Sequence, residues 1–221
     1  MYNNGEIRKF GISGYGLKLI AVFTMLIDHI GYILFPQYVW LRWIGRISYP
    51  IFAFLIAEGF IHTSNLKKYI SRMFIFALVT EICYDLAFFN TFWYSGRQNV
   101  LFTFTIALAL LYCILDFSIP IQILAAVAAY LLAYVINADY NFMGVALVLI
   151  IFFMRRNKKY QSLGIILWNL CYIPSFQVVG ALSSIFTLLY NGERGRSTKY
   201  LFYIFYPGHL LALYLIKRFL F

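Results

Sequence analysis

The sequence predicts an all-α protein, a polytopic bundle of transmembrane helices with about nine spans. Hydrophobic residues make up 63% of the 221 residues and charged residues only 12%, which is too few charges to cover the surface of a soluble domain. The apolar residues also fall into runs of membrane-spanning length, separated by short polar or basic loops. We therefore expect a single transmembrane domain over 1–221, embedded in the lipid of the cytoplasmic (inner) membrane.

Each predicted span follows from an apolar run and the residues that end it. The first ends at Pro36, and Pro50 inside the second is expected to kink that span or to begin its regular part. The stretch 161–190 is too long for one upright helix and is interrupted by Pro174, so it is divided in two; as one tilted helix it would reduce the total to eight. The last span is expected to break near Pro207. The spans cover about 17–35, 41–62, 70–89, 100–115, 119–136, 142–154, 161–173, 176–190 and 200–219.

The basic residues indicate which side of the membrane each loop faces. With nine spans and a cytoplasmic tail over 1–15, thirteen of the 18 Lys and Arg residues fall on the inner side and five on the outer side, as the positive-inside rule requires. The same loops account for the net charge of +10. Because these charges do not form a stripe on a soluble fold, we expect no nucleic-acid partner.

Several ionisable residues lie inside the first two predicted spans, where a charged group costs about 2.5–3.5 kcal/mol even on lenient insertion scales. Asp28 and His29 are adjacent and point about 100° apart on a helix, so both border one cavity only if it wraps around that helix. Glu58 and His62 are four residues apart and share a helix face, a spacing that is also typical of a local pair at the inner interface.

Arg42 and Arg46 are also four residues apart. Two guanidinium groups on one face form a clamp for a phosphate or a carboxylate. The alternative is that both reach the outer headgroups beside Trp40 and Trp43, and Arg46 is equally placed to neutralise Asp28.

Two further polar features lie in later spans. Glu81 and Asp85 share a helix face, and two such carboxylates are not expected to be ionised together unless a cation or an arginine lies near. His209 follows the Pro-Gly pair of the last span, where freed backbone groups must line protein or water. A purely structural role for His209 is equally open.

Three kinds of chemistry suit Asp, His, Glu and Arg side chains in an apolar bundle. In acyl transfer, a histidine takes a proton from an amine or a hydroxyl while an arginine polarises the carbonyl group. In ion-coupled transport, carboxylates carry protons. A divalent metal held by Asp28, His29 and Glu58 is the third, but the repeated ligand spacing of metal sites is missing.

Three stretches of the sequence resemble the TraX family, named for the membrane protein that acetylates the amino terminus of conjugative F-pilin. They are LK-x6-M-x-x-DHIGY (17–32), LRWIGRISYPIFAFLIAEGF-x-HT-x-N (41–65) and KYISRMFIFALVTEICYD (68–85). The stretches NVLFTFTIAL (99–108) and YPGHLL (206–211) fit the same pattern. The resemblance covers most of the chain.

This resemblance implies a membrane acetyltransferase that uses acetyl-CoA, a CoA thioester, as its acyl donor. The acceptor would be an amine or a hydroxyl of a pilin-like protein or of a glycan of the cell envelope. A small ion-coupled transporter without covalent chemistry is the alternative. No resident metal is expected.

The resemblance also assigns roles to individual residues. His29 would be the general base, Asp28 would orient it or tune its pKa, and Glu58 would line the site as a second carboxylate. Arg42 and Arg46 would hold donor phosphates or the developing negative charge. Lys18 and His29 match a basic residue and a histidine that acyltransferase-3 proteins carry in their first span. The other expected lining residues are Asn99, His209, Glu81, Asp85 and His62.

The position of His29 has a consequence for the donor. It lies about 18 Å from the inner end of the first span at 1.5 Å per residue, past the bilayer midplane. A cytosolic donor would then need a polar cleft from the inner loops to His29. Its phosphates would remain near those loops, which leaves Arg42 and Arg46 to the acceptor or the acyl oxygen instead; both interpretations of the arginines stay open.

Overall fold

The computed structural model describes residues 10–196 and 199–220, and this part of the chain is all-helical. The predicted helical class is confirmed at this level. The first nine residues of the predicted tail and residues 197–198 of the predicted last inner loop lie outside the described part. The helices are α1 (Gly14–Ile33), α2 (Val39–Gly45), α3 (Ser48–His62), α4 (Leu66–Phe89), α5 (Val100–Asp116), α6 (Ile119–Val135), α7 (Asn141–Phe153), α8 (Lys158–Leu170), a 3-10 helix (Phe176–Leu182), α9 (Ser183–Leu188) and α10 (Lys199–Leu220).

The bundle has two ends, which are defined by hydrogen bonds between loops. At one end, here called the near end, the backbone before α1 meets the backbone after α9, and the Ile12 amide donates to the Leu189 carbonyl oxygen at 2.8 Å. At the opposite, far end, the loop before α5 meets the loop before α7, and the Asp139 amide donates to the Gln98 carbonyl oxygen at 3.0 Å. Because α1 begins at the near end, its last turns lie at the far end.

Polar residues begin and end several helices at the edges of the apolar runs. The side chains of Ser13 and Asn65 accept hydrogen bonds from amides three residues on, at 3.2 and 2.9 Å, and so satisfy N–H groups that have no helical partner. Asn90 follows α4 with a φ of 56°, a left-handed conformation that Asn tolerates better than most residues. The Asn65 cap explains why α4 begins at Leu66 rather than near 70.

Two prolines have different effects on the helices. Pro50 lies in the first turn of α3, where a backbone N–H is not needed, so it begins the regular part of the predicted second span. That span is divided into α2 and α3. The predicted break near Pro207 is wrong, because α10 continues through it. Tyr206 and Leu210 on either side are buried in one hydrophobic cluster with residues of α1 and α4, and this packing holds the helix together across the missing hydrogen bond.

The predicted pair of spans over 161–190 takes an irregular form. The first half is α8, which begins at Lys158. The second half is the 3-10 helix and the six-residue α9, joined end to end. The 3-10 helix packs against α8 and α2, which brings the second half close to the last residues of the predicted second span.

Much of the apolar surface of the bundle faces outwards. Of the residues in α6, only Ala129 and Ala133 are buried, although the helix is almost entirely apolar. Within the described residues, two helical stretches, Gly14–Ile33 and Val39–His62, are long and apolar enough to cross a membrane, and four further apolar helices are shorter. These features are consistent with a membrane protein. The helices α7 and α8 have 13 residues each, about 20 Å of helix, and the count of nine spans stays a prediction.

Candidate functional site

A cavity at the far end of the bundle gathers charged side chains from several helices and loops. Its wall includes many aromatic rings, among them Tyr32, Phe88 and Tyr140. If the histidine is neutral, the three arginines and two aspartates give the cavity a net charge of +1. Such a cavity suits an anion or a group that develops negative charge. The histidine and the charged residues that line the cavity are Asp28, His29, Arg42, Arg46, Arg97 and Asp139.

Asp28 binds the two arginines of the predicted clamp. Its Oδ1 accepts from Nε of Arg42 at 2.8 Å and from Nη2 of Arg46 at 2.5 Å. Adjacent helical residues point about 100° apart, so a carboxylate that is turned towards α2 is directed away from the ring of His29. The interpretation that Asp28 orients His29 is therefore corrected. Instead, Asp28 neutralises part of the charge of Arg42 and Arg46, which hold it in place.

Gly45 allows this cluster to form. A Cβ atom at Gly45 would overlap the Cβ atom and the carboxylate of Asp28, so only glycine lets α2 approach α1 this closely. A Cβ atom at Gly31 would likewise overlap the Cβ atom of Leu41. The contact between α1 and α2 thus depends on one glycine from each helix.

A chain of buried polar groups supports Arg46 from its other side. Nη1 of Arg46 donates to the Tyr140 hydroxyl at 3.3 Å, and that hydroxyl donates to Oε1 of Gln177 at 3.2 Å. Nε2 of Gln177 donates to Oδ1 of Asn169 at 3.0 Å. This network fixes the guanidinium group of Arg46 through the residue before α7 and through residues of the 3-10 helix and α8.

Arg97 and Asp139 were not predicted as site residues. They form an ion pair of 2.5 Å at the mouth of the cavity, between the loops before α5 and α7. The Asp139 carboxylate raises the pKa of Arg97 above its ordinary value. Asp139 is 42 residues from Arg97, so no local spacing connects the two. The only sequence signal was their position in two predicted outer loops.

His29 and His209 form a buried pair between α1 and α10. Nδ1 of His29 lies 2.7 Å from Nε2 of His209, and Nδ1 of His209 lies 2.7 Å from the carbonyl oxygen of Phe205. The two rings are nearly parallel, with an angle of 3° between their planes, and Phe88 packs edge-on against His29. His209 was predicted to line the cavity, but it is not one of the lining residues; instead it contacts His29, which lines the cavity.

Three other predicted site residues lie towards the near end, away from His29. His62 is 70% exposed at its side chain and lies 3.6 Å from Glu58, so the two form the local pair that their spacing also predicted. The interpretation of Glu58 as a second carboxylate beside His29 is corrected accordingly. Lys18 lies close to Arg194, about 16 Å along α1 from His29.

Asn99, Glu81 and Asp85 form a separate buried group on α4 and the start of α5. The backbone amide of Asn99 donates to Oε2 of Glu81 at 3.0 Å, and its side-chain amide donates to the same oxygen. Asp85 accepts from the Tyr94 amide at 2.8 Å. None of the three lines the cavity that contains His29, so their predicted place in its wall is corrected. They begin α5 and hold the adjoining loop.

A second cavity lies at the near end. Glu58, Arg155, Lys158 and Tyr190 are among its lining residues, and Nζ of Lys158 donates to the Tyr190 carbonyl oxygen at 2.5 Å. The two cavities are distinct, although α3 contributes to both: Phe52 lines the first and Phe54 the second. The structure thus has a polar cavity at each end of α3 in place of the predicted continuous cleft.

Comparison with known proteins decides the family. The sequence model described as TraX protein matches residues 13–217, nearly the whole chain and all of the segments that form the first cavity. The chain belongs to the TraX family. No solved structure matches it.

Two similar proteins illustrate the range of this family. A probable fimbrial assembly protein FimC of serogroup H1 from Dichelobacter nodosus is 28% identical over 245 aligned positions, which cover 96% of this chain and 99% of that protein. Protein TraX from Escherichia coli is 29% identical over 92 residues, 41% of this chain and 36% of that protein. The relatives of this chain thus include a protein whose name refers to fimbrial assembly.

Proposed function

We propose that this protein is an integral-membrane acyltransferase that moves an acetyl group from acetyl-CoA to an amine or a hydroxyl. The acceptor would be a pilin- or fimbria-related protein or another component of the cell envelope, as the names of its relatives suggest. The observation that carries the proposal is one cavity that contains His29 beside the Asp28, Arg42 and Arg46 cluster.

The residues of this cavity suit the steps of acyl transfer. His29 takes the proton of the acceptor N–H or O–H group while the acceptor atom attacks the thioester carbonyl carbon. Arg42, which uses only its Nε atom on Asp28 among the described hydrogen bonds, has N–H groups left for the developing oxyanion. The C–S bond then breaks, and the CoA thiolate receives the proton from His29.

We extend the proposal to topology, with nine crossings, a cytoplasmic N-terminus and a cytoplasmic near end. The basic residues at 155–159 and 194–196 support it, because both groups lie at the near end. A cysteine at Lys158, in a protein whose Cys83, Cys113 and Cys171 are replaced by alanine, should not react with an impermeant reagent in intact cells. Labelling from outside would contradict this orientation.

The near-end cavity supports entry of the donor from the cytoplasm. Its Arg155 and Lys158 suit the phosphates of CoA, and the pantetheine arm would run along α3 to the His29 cavity, which requires the two separate cavities to join when the donor binds. The arginines at the far end are then free to act on the acyl oxygen rather than on the donor phosphates. Under this proposal, Arg42 and Arg46 take the second of the two roles that the sequence left open for them.

The test is acetyl transfer by the purified full-length protein in lipid nanodiscs. Labelled acetyl-CoA is supplied with a pilin-like peptide or an envelope extract, and free CoA and labelled acceptor are measured. We expect both products with the wild type and with His62→Ala, a control at an exposed histidine. Release of CoA that is the same in His29→Ala and wild type would contradict the proposal.

One observation favours the alternative of ion-coupled transport. Oε1 of Glu81 and Oδ1 of Asp85 are buried and have no hydrogen-bond partner among the described residues. Buried carboxyl groups of this kind carry protons in transporters. Proteoliposomes with a pH-sensitive dye inside would show a proton flux that Glu81→Gln abolishes if transport is the function; we expect no such flux.

A further inference from the structure

The hydrogen bonds around His209 define which atoms of the histidine pair carry protons. A carbonyl oxygen can only accept, so the 2.7 Å contact between Nδ1 of His209 and the Phe205 carbonyl requires a proton on that nitrogen. In a neutral ring the other nitrogen, Nε2, then has a free lone pair and can only accept. The 2.7 Å contact with His29 therefore requires the proton on Nδ1 of His29.

The surroundings of the pair support two neutral rings. Both histidines are more than nine-tenths buried, and in the described part of the chain neither is within 4 Å of a carboxylate oxygen. The neighbouring rings are aromatic, with Phe88 and Tyr206 against His29 and Phe205 stacked on His209. A second proton on His209 would reverse the hydrogen bond, but it would place an unpaired charge in a buried, aromatic surrounding.

We infer that His209 is a positioning residue that fixes His29 as its Nδ1–H tautomer, and so leaves Nε2 of His29 as the basic atom of the site. This inference deepens the proposed function and rests on it for its catalytic meaning. His29 lines the cavity and His209 does not, so the two histidines have different roles. His209 takes the place that the sequence suggested for Asp28.

The pair also determines where the proton goes during the reaction. When Nε2 of His29 accepts the acceptor proton, the ring becomes an imidazolium whose Nδ1–H group donates to His209. The proton cannot continue to solvent through His209, because its Nδ1–H group faces a backbone carbonyl. It therefore stays on His29 until the CoA thiolate takes it, which completes the transfer.

Two substitutions at His209 separate this role from simple packing. His209→Phe keeps a buried ring but removes the acceptor atom, whereas His209→Gln offers an amide oxygen close to the former Nε2 position. We expect kcat to fall about 10²–10⁴-fold in His209→Phe and to stay within about tenfold of wild type in His209→Gln, with the KM for acetyl-CoA unchanged in both. An equal loss in both variants with an intact fold would overturn the inference, and so would full activity of His209→Phe.

A spectroscopic measurement tests the tautomer independently of activity. The chain has only three histidines, so ¹⁵N-histidine labelling of the full-length protein in nanodiscs gives few signals, and His62→Gln identifies the exposed one. We expect the Nδ1–H form for His29 and His209 in the wild type, and a shift of His29 towards the Nε2–H form in His209→Phe. An Nε2–H form of His29 in the wild type would overturn the inference even if acetyl transfer is confirmed. The expected spectrum without any acetyl transfer would instead contradict the proposed function.

Discussion

The two ends of the bundle carry similar side chains in very different arrangements. At the near end, Glu58 and His62 pair within one helix, and the histidine is 70% exposed. At the far end, Asp28 and His29 have partners on other helices, and both are more than nine-tenths buried. An acid and a histidine four residues apart therefore mark a solvated local pair, whereas an adjacent acid and histidine form a site only because α2 and α10 pack against α1.

The largest expected effect comes from removing the histidine at each end. We expect His29→Ala to lower acetyl transfer about 10²–10⁴-fold, because a positioned base is lost, and His62→Ala to change it less than about twofold, because no product-forming step uses that ring. Initial rates of CoA release, with protein amounts matched by size-exclusion chromatography, make the comparison. Similar losses in both variants would remove the distinction between the two ends.

The carboxylates at the two ends should differ in their contribution to stability. We expect Asp28→Ala to lower the free energy of unfolding by about 3–5 kcal/mol, because it leaves two largely buried arginines without their shared partner. Glu58→Ala removes a partly exposed pair and should cost about 0–1 kcal/mol. Thermal unfolding in the same detergent measures both, and a melting temperature of Asp28→Ala equal to that of Glu58→Ala would contradict the structural role of the cluster.

Two glycines test whether close helix contact makes the far-end site. A methyl group at Gly45 meets Asp28, so we expect Gly45→Ala to cost about 1–3 kcal/mol through overpacking and to reduce activity as well. Gly208, inside α10, has no atom within 4 Å of an added Cβ. Gly208→Ala is therefore the matched control and should be neutral or stabilising by up to about 1 kcal/mol. If Gly45→Ala is as stable and as active as Gly208→Ala, α2 does not approach α1 as described.

The smallest expected effect concerns the donor at the near end. We expect Lys158→Gln to raise the KM for acetyl-CoA about three- to tenfold, because the proposed phosphate site loses one positive charge, without a change in kcat. Lys159→Gln, at an exposed neighbour, is the control. A short acetyl thioester that has no nucleotide should react equally well with all three proteins, and a raised KM for this thioester in Lys158→Gln would argue against a phosphate site.

The sequence predicted the residues of the site better than their partners. Asp28, His29, Arg42, Arg46 and His209 were all proposed from their occurrence in apolar segments, where ionisable groups need a reason to be present. Their pairing could not be read from spacing, because Asp28 and Arg46 are 18 residues apart and His29 and His209 are 180 apart. Glu58 and Asn99 were wrongly assigned to the same site. The sequence shows that these polar residues lie in or beside apolar segments, but it does not show which cavity they line.

The sequence by itself determined the helical class, the family and most helix boundaries, because apolar periodicity, prolines and capping residues act over a few neighbouring positions. Only the tertiary structure decided that Asp28 turns to the arginines and that His209 meets His29. It also decided that α10 continues through Pro207, because packing on both sides outweighs one lost hydrogen bond. These outcomes depend on contacts between helices that are distant in the chain. At such contacts, burial selects which side chains pair, and local helix propensity does not.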